Sequence, residues 1–440
     1  MDLNRTFAQA VTHQNEGRWT EAEALYRRID KARPGMAAVT WNLGVVLKAQ
    51  EKWEPALVSF ERTAKADPAF RGVNFNIGLC LQKLGRMQEA TAAFETSVAV
   101  EPEDAVGRFN LAAAYRDQDR LEAALDQVTQ ALALKPDFVE AQLLESKLRT
   151  RMLPLWHVPM VNDTPRNDAY AAAIRAQVRP GDLVLEIGTG SGLLAMMAAR
   201  AGAQVVTCEA VPWIAETARA VIAANGLSDR ITVVNTLSTA LQVGDVLPRR
   251  ADILLSEIVA SDFLSERIIP AVADARARLL LPDARILPAR GGVRCALAGG
   301  AILEKHLFTG TIADFDLSIF NRLYPRAVHY DARLVQPVSL SASVDPFSFD
   351  FTGPPIPPSE HVRFTLPADA DGRCVALAQW VWLDFGDGIT FENSPFVDSP
   401  ASGWQPGFYL PDRPLPVTRG QTLAFDALHD GFNVWLSFRP

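Results

Sequence analysis

At 440 residues the chain is longer than one hydrophobic core serves, and about three domains are expected from length alone. With 48% hydrophobic and 21% charged residues it is too apolar for intrinsic disorder and too charged for a membrane protein. A net charge of −8 argues against a surface built to grip nucleic-acid phosphates, and no stretch is apolar enough to span a bilayer. Cys80, Cys208, Cys295 and Cys374 stand too far apart for a disulfide framework or a metal-ligand spacing. A cytoplasmic protein with no metal, membrane or nucleic-acid partner is expected.

Pro34, Pro68, Pro102 and Pro136 recur every 34 residues, and Ala22, Ala56, Ala90 and Ala124 keep the same phase. So do Tyr26, Phe60, Phe94 and the smaller Val128, and the small residues Ala10, Gly44, Gly78 and Ala112. Small residues let paired helices approach, an aromatic ring fills the gap beneath, and proline ends each second helix. The pattern resembles tetratricopeptide repeats: four units over residues 3 to 136, with a cap helix after them, form an all-α domain at 1–150. Asn42, Asn76 and Asn110 fall at one position of the first helix in repeats two to four. Single exposed asparagines are ordinary, but three in phase form a short ladder that can hold the backbone of a peptide or partner protein.

From about residue 180 the pattern changes to strand, glycine turn, helix and strand, the signature of a doubly wound parallel sheet, and a second domain is expected at 151–287. Asp182 to Ile187 is a buried strand entering Gly188-Thr-Gly190-Ser-Gly192, and Glu209 ends the next strand 23 residues after Glu186. Such glycines let a ligand approach the backbone at the strand end, and an acid after the second strand accepts from ribose hydroxyls. Glu186 ahead of Gly188-Thr-Gly190-Ser-Gly192 resembles the methyltransferase form of this loop, and the resemblance implies that it binds the amino-acid tail of S-adenosylmethionine and not a pyrophosphate. A nicotinamide fold is the alternative.

Glu257 follows the fourth strand, and Glu266 is placed to return toward it on a short hairpin. Two carboxylates on one pocket suit the planar fork of a guanidinium. Here residues 157 to 440 resemble the protein arginine methyltransferases, whose paired glutamates have this nine-residue separation. The resemblance implies that Met160 and Arg166 lie on a segment folding over the cofactor, with Arg166 pairing its carboxylate. It implies that Leu237 and Ser238 contact its adenine, and that Trp404 walls the substrate pocket. Phe315-Asp-Leu-Ser318 matches another of its segments.

Two positions depart from the family pattern. Gly403 stands before Trp404 where the family has histidine, and Ile268 replaces a methionine common in asymmetric-dimethylating members, which favours symmetric or mono-methylation. The family also implies a homodimer, although no distinct arm is visible in the sequence.

Sixteen of the 29 prolines lie from Pro288 onward among short apolar runs, so residues 288–440 are expected to form a mostly β, barrel-like third domain. The expected function is methyl transfer from S-adenosylmethionine to peptide arginine, with Glu257 and Glu266 as catalytic acids. A lysine or amine methyltransferase, or a repeat scaffold with an inactive enzyme domain, are the alternatives.

Overall fold

The 34-residue period becomes four helix pairs, from Leu3–Asn15 with Trp19–Ala32 to Ala105–Asp117 with Leu121–Leu134, followed by Val139–Met152. The phase residues are the core of this array: Ala22, Ala56, Ala90 and Ala124 are buried, with Tyr26, Phe60, Phe94 and Val128 beside them. A Cβ on Gly44 would lie 2.7 Å from the Phe60 ring, and one on Gly78 would lie 2.5 Å from Phe94. In the fourth repeat Val128 replaces the ring, and alanine stands at 112. In repeats two and three the ring therefore leaves no room for a Cβ on the facing helix, whereas the first repeat accommodates Ala10 with Tyr26.

The computed structural model describes residues 2–152, 157–397 and 402–439 and divides into two compact units, Met1–Leu155 and Trp156–Pro440. No helix among the described residues is long and apolar enough to cross a membrane.

The second unit opens on the parallel sheet. Its strands are β1 (Leu183–Ile187), β2 (Gln204–Glu209), β3 (Ile231–Asn235), β4 (Ala251–Ser256) and β5 (Leu280–Leu287), in the order β3-β2-β1-β4-β5. β1 is apolar except for Glu186 and buried along its whole length, as a central parallel strand covered on both faces must be. The order reverses between β1 and β4. That switch point opens a crevice at the carboxyl ends of these two strands, where ligands of such sheets bind.

The core continues without a break from Leu287 into Val293, Val381 and Phe425. In this β-rich part, Arg290–Gly299 pairs with Ala376–Gly386 over nine residues, from Ala376↔Ala298 to Asp384↔Arg290. Gly407–Tyr409 pairs with the other edge of Ala376–Gly386, and Ala327–His329 pairs with Gly407–Tyr409. The barrel-like expectation holds in a loose sense: among the described residues the seven-stranded sheet is not a closed barrel, and its order runs from Val338–Ser339 at one end to Ala327–His329 at the other.

Candidate active site

Gly188, Gly190 and Gly192 all have positive φ, at 86°, 51° and 80°, so the turn after β1 requires residues without a Cβ penalty. Gly188 also packs closely, since a Cβ there would come within 2.7 Å of Ile258 Cγ2, whereas at Gly190 nothing lies within 4 Å. Glu209 braces the turn: its carboxylate accepts from the backbone N–H of Gly190 at 3.2 Å and of Val211 at 3.0 Å.

Glu186 is 1% exposed, and burial pushes its carboxyl up to about 8 against a smaller opposing effect from the Thr207 hydrogen bond. Among the described residues, Glu186 Oε2 and Ser256 Oγ have no hydrogen-bond partner. These orphaned polar atoms fit a ligand that brings donors and positive charge, as the ammonium and ribose of S-adenosylmethionine do. Ser238 is buried and Leu237 is 63% exposed. Their turn is pinned by Arg278, which donates to the carbonyls of Leu241 at 2.8 Å and Thr239 at 3.2 Å.

β4 is fixed at its end by Tyr170, whose hydroxyl donates to the Ser256 carbonyl at 2.9 Å. The next residue, Glu257, lies 3.3 Å from Arg166 Nη1, with the two side chains 10% and 4% exposed. Burial lifts the Glu257 carboxyl to about 8; Arg166 pulls it down, and Glu266, Asp163 and Glu186 push it up. Arg166 thus meets Glu257 here, and its Nε and Nη2 donate to Asn167 Oδ1 at 3.3 and 2.9 Å.

The expected hairpin to Glu266 is replaced by two tandem turns, closed by Phe263 N–H to the Ala260 carbonyl and Arg267 N–H to the Leu264 carbonyl, each 2.8 Å. Positive φ at Phe263 and Arg267 turns the chain twice, so no strand forms between Glu257 and Glu266. The loop is held by Phe263, fully buried and stacked on Phe349 at 5.4 Å. Glu266 opens on a cavity of about 590 Å³ that is also lined by Asp262, His329, Trp404 and Tyr409. Its carboxyl is raised by desolvation, then by Asp262 and Glu209. Ile268 is fully buried in the core.

Trp404 is 4% exposed and stands 5.7 Å from the Arg166 guanidinium, face to cation. Beside it, a Cβ on Gly403 would lie 2.6 Å from both Cα and Cβ of Met160. The short helix His157–Val161 therefore fills the room that a side chain at 403 would need. Four residues upstream of this loop, 398–401, lie outside the described residues.

Asp163 was not singled out by the sequence, yet it accepts from Arg166 N–H at 3.1 Å and from the Ser402 hydroxyl at 2.7 Å. It joins the helix that carries Arg166 to the loop that carries Trp404. An aspartate two residues before a proline, ahead of a helical stretch, was the available signal. Asp262 and His329 had no such signal.

In the repeat unit, Asn42, Asn76 and Asn110 donate to the carbonyls of Ala38, Gly72 and Val106 at 2.7, 2.9 and 2.8 Å. The same bond recurs in repeats two to four; Asn76 is buried and additionally accepts from Lys48 Nζ.

The chain is similar to several known proteins. A family model described as "Ribosomal protein L11 methyltransferase (PrmA)" matches residues 171–284, and a "Tetratricopeptide repeat" model matches 7–69 and 75–137. An "Arginine N(omega)-methyltransferase" of Streptomyces achromogenes subsp. streptozoticus is 42% identical over 63% of this chain and 77% of the relative. "Protein arginine N-methyltransferase 7" of Drosophila yakuba is 29% identical over 64% of this chain, and that of Oryza sativa subsp. indica 30% over 62%. The chain spans only 47% and 43% of those two relatives.

Among solved structures, the Trypanosoma brucei "PRMT1 enzyme-prozyme heterotetrameric complex with AdoHcy" superposes with a TM-score of 0.56 at 22% identity, covering 66% of this chain and 95% of the other. Arabidopsis thaliana protein arginine methyltransferase 10 gives 0.51 at 21% identity over 61% and 86%. These two likenesses concern the fold.

Proposed function

The chain belongs to the arginine N-methyltransferase family and uses S-adenosylmethionine, and from that premise we propose that Glu257 and Glu266 hold the guanidinium of a peptide arginine for methylation. One observation supports the reading: Glu257 already holds a guanidinium, that of Arg166, at 3.3 Å in a nearly dry setting, while Glu266 lines the cavity and Glu257 is not among its described lining residues. The bound cofactor supplies a methyl group whose bonding electron pair stays on sulfur.

Glu186 and Glu209 receive the cofactor's amino group and ribose, Gly188, Gly190 and Gly192 leave its tail room, and Leu237 and Ser238 border its base. Met160 closes over it, and Arg166 pairs its carboxylate when it binds, leaving Glu257 to the substrate. The protein residues therefore perform alignment and charge placement. A guanidinium is a weak nucleophile because its electrons are delocalised, so fixing one nitrogen and drawing charge toward the others does much of the work.

Peptide arginine is favoured over the free amino acid by the lining of the cavity. Asp262 and Glu266 are acidic, and no lysine or arginine is among its described lining residues, so a free α-carboxylate finds no fixed cation there. Trp404 forms the apolar wall.

The repeats recruit the protein substrate or another partner along the face carrying Asn42, Asn76 and Asn110. A second copy of the chain covers the segment around Phe315, Ile319, Phe320 and Leu323, each 64% or more exposed; this apolar segment supplies the arm that the sequence did not reveal. Four buried, free cysteines suit a reducing cytoplasm.

The test is incubation with methyl-labelled S-adenosylmethionine and, separately, an arginine peptide, its lysine counterpart and free arginine. Label on the peptide guanidinium supports the reading. Label on lysine alone or on free arginine alone overturns the assigned substrate, and label on none overturns the activity.

A further inference from the structure

Exchanging one N–H of a guanidinium for N–CH₃ frees one proton, because the N–H bonding pair remains on nitrogen. That proton needs an acceptor. A carboxylate engaged in holding the cation is poorly placed to be neutralised at the same moment, and Gly403 offers no titratable side chain on the Trp404 wall.

The cavity holds an imidazole on another wall. His329, ending the strand Ala327–His329, lines the same space as Asp262, Glu266 and Trp404. The neighbouring strand leaves it room: His329 is paired with Gly407, and a Cβ on Gly407 would already touch His329 Nε2 at 3.4 Å.

We propose that His329, supported by Asp262, accepts the proton released on methylation, directly or through one water, and passes it to solvent at the cavity mouth. This rests on the reading of the cavity as the arginine site. The bonds balance: nitrogen keeps the pair it shared with hydrogen, and the imidazole lone pair takes the proton.

Three titratable groups line the cavity with His329 among the described residues. Asp262 and Glu266 come from the loop after β4, and Tyr409 comes from the adjoining strand. Tyr409 donates its hydroxyl to Gln379 Oε1 at 3.3 Å and to the Val434 carbonyl at 3.4 Å, and burial raises it far above neutrality. It therefore stays a neutral donor. Burial holds the His329 imidazole below its ordinary value, opposed by Asp262. It is thus unprotonated near neutral pH, the state a base needs.

The experiment measures kcat and KM of the full chain on an arginine peptide from pH 5 to 9, for wild type, His329→Gln, His329→Asn and Asp262→Asn. Imidazole NMR titration of the six histidines accompanies it, His329 being identified by its loss in the variants. Both His329 variants are expected to lower kcat roughly 10- to 100-fold at pH 7 with little change in KM, and to lose the acidic limb below about pH 6.5. Asp262→Asn moves that limb, and the His329 resonance, to lower pH.

Unchanged kcat with the limb retained in a folded His329 variant overturns the proposal, as does a loss confined to KM. Should those variants not fold, an unshifted limb and resonance in Asp262→Asn overturn it instead. A wild type that labels no arginine at any pH fails the cavity reading itself, whereas wild-type activity with an unaltered variant profile fails His329 alone.

Discussion

Arg166 and Glu257 form an ion pair at 3.3 Å, 4% and 10% exposed, at the carboxyl end of β4. The acid assigned to the substrate guanidinium thus already pairs with a guanidinium of the protein. Removing one member of a buried pair leaves the other without compensation unless it changes protonation. Arg166→Met is therefore expected to weaken cofactor binding at least about tenfold, the loss of one charge-assisted hydrogen bond. Unfolding is affected less, because Glu257 then keeps its proton. Calorimetry with S-adenosylmethionine and thermal unfolding of the same variant separate the two effects.

Stability without cofactor is expected to fall as pH rises toward 8. Glu186 is lifted from an ordinary 4.5 to about 8 by burial, so the folded chain binds more protons than the unfolded one between these values. Its contribution is complete below 4.5 and is lost as pH climbs to about 8. Glu186→Gln removes this group, so its melting temperature should exceed that of wild type at pH 8.5 and approach it at pH 5. Melting curves at the two values check this.

Placing a histidine at 403 should reduce activity. The Met160 backbone stands 2.6 Å from any Cβ at that position, so Gly403→His must displace the helix His157–Val161, at a cost of about 1–3 kcal/mol for an overpacked site. Lower melting temperature, weaker cofactor binding and slower methyl transfer are expected together.

Self-association is expected to depend on the apolar segment. Phe315 and Ile319 are each 70% exposed, and Phe315→Asp with Ile319→Asp should give a monomer by light scattering where wild type gives a dimer. Both side chains are largely exposed and neither is among the described lining residues of the cavity, so the melting temperature should stay close to wild type.

The repeats and the cofactor crevice were legible because their constraints are local. A 34-residue phase leaves small and aromatic residues at fixed intervals, and positive φ in a tight turn leaves Gly188, Gly190 and Gly192. Glu257 was legible from its place after a predicted strand. The route to Glu266 was not, because two tandem turns at Phe263 and Arg267 depend on residues packed from the β-rich part. Asp163, Asp262 and His329 escaped notice because their neighbours lie in distant stretches: Asp163 meets Ser402 239 positions away.

The central claim is that Glu257 holds the arginine undergoing methylation, and Glu257→Gln tests it most directly. Gln keeps the shape and loses the charge. S-adenosylmethionine should bind that variant within about threefold of wild type, while label transfer to an arginine peptide falls at least ~100-fold, the scale of a lost electrostatic contact to the reacting group. Transfer at the wild-type rate by a folded, cofactor-binding Glu257→Gln protein would contradict it.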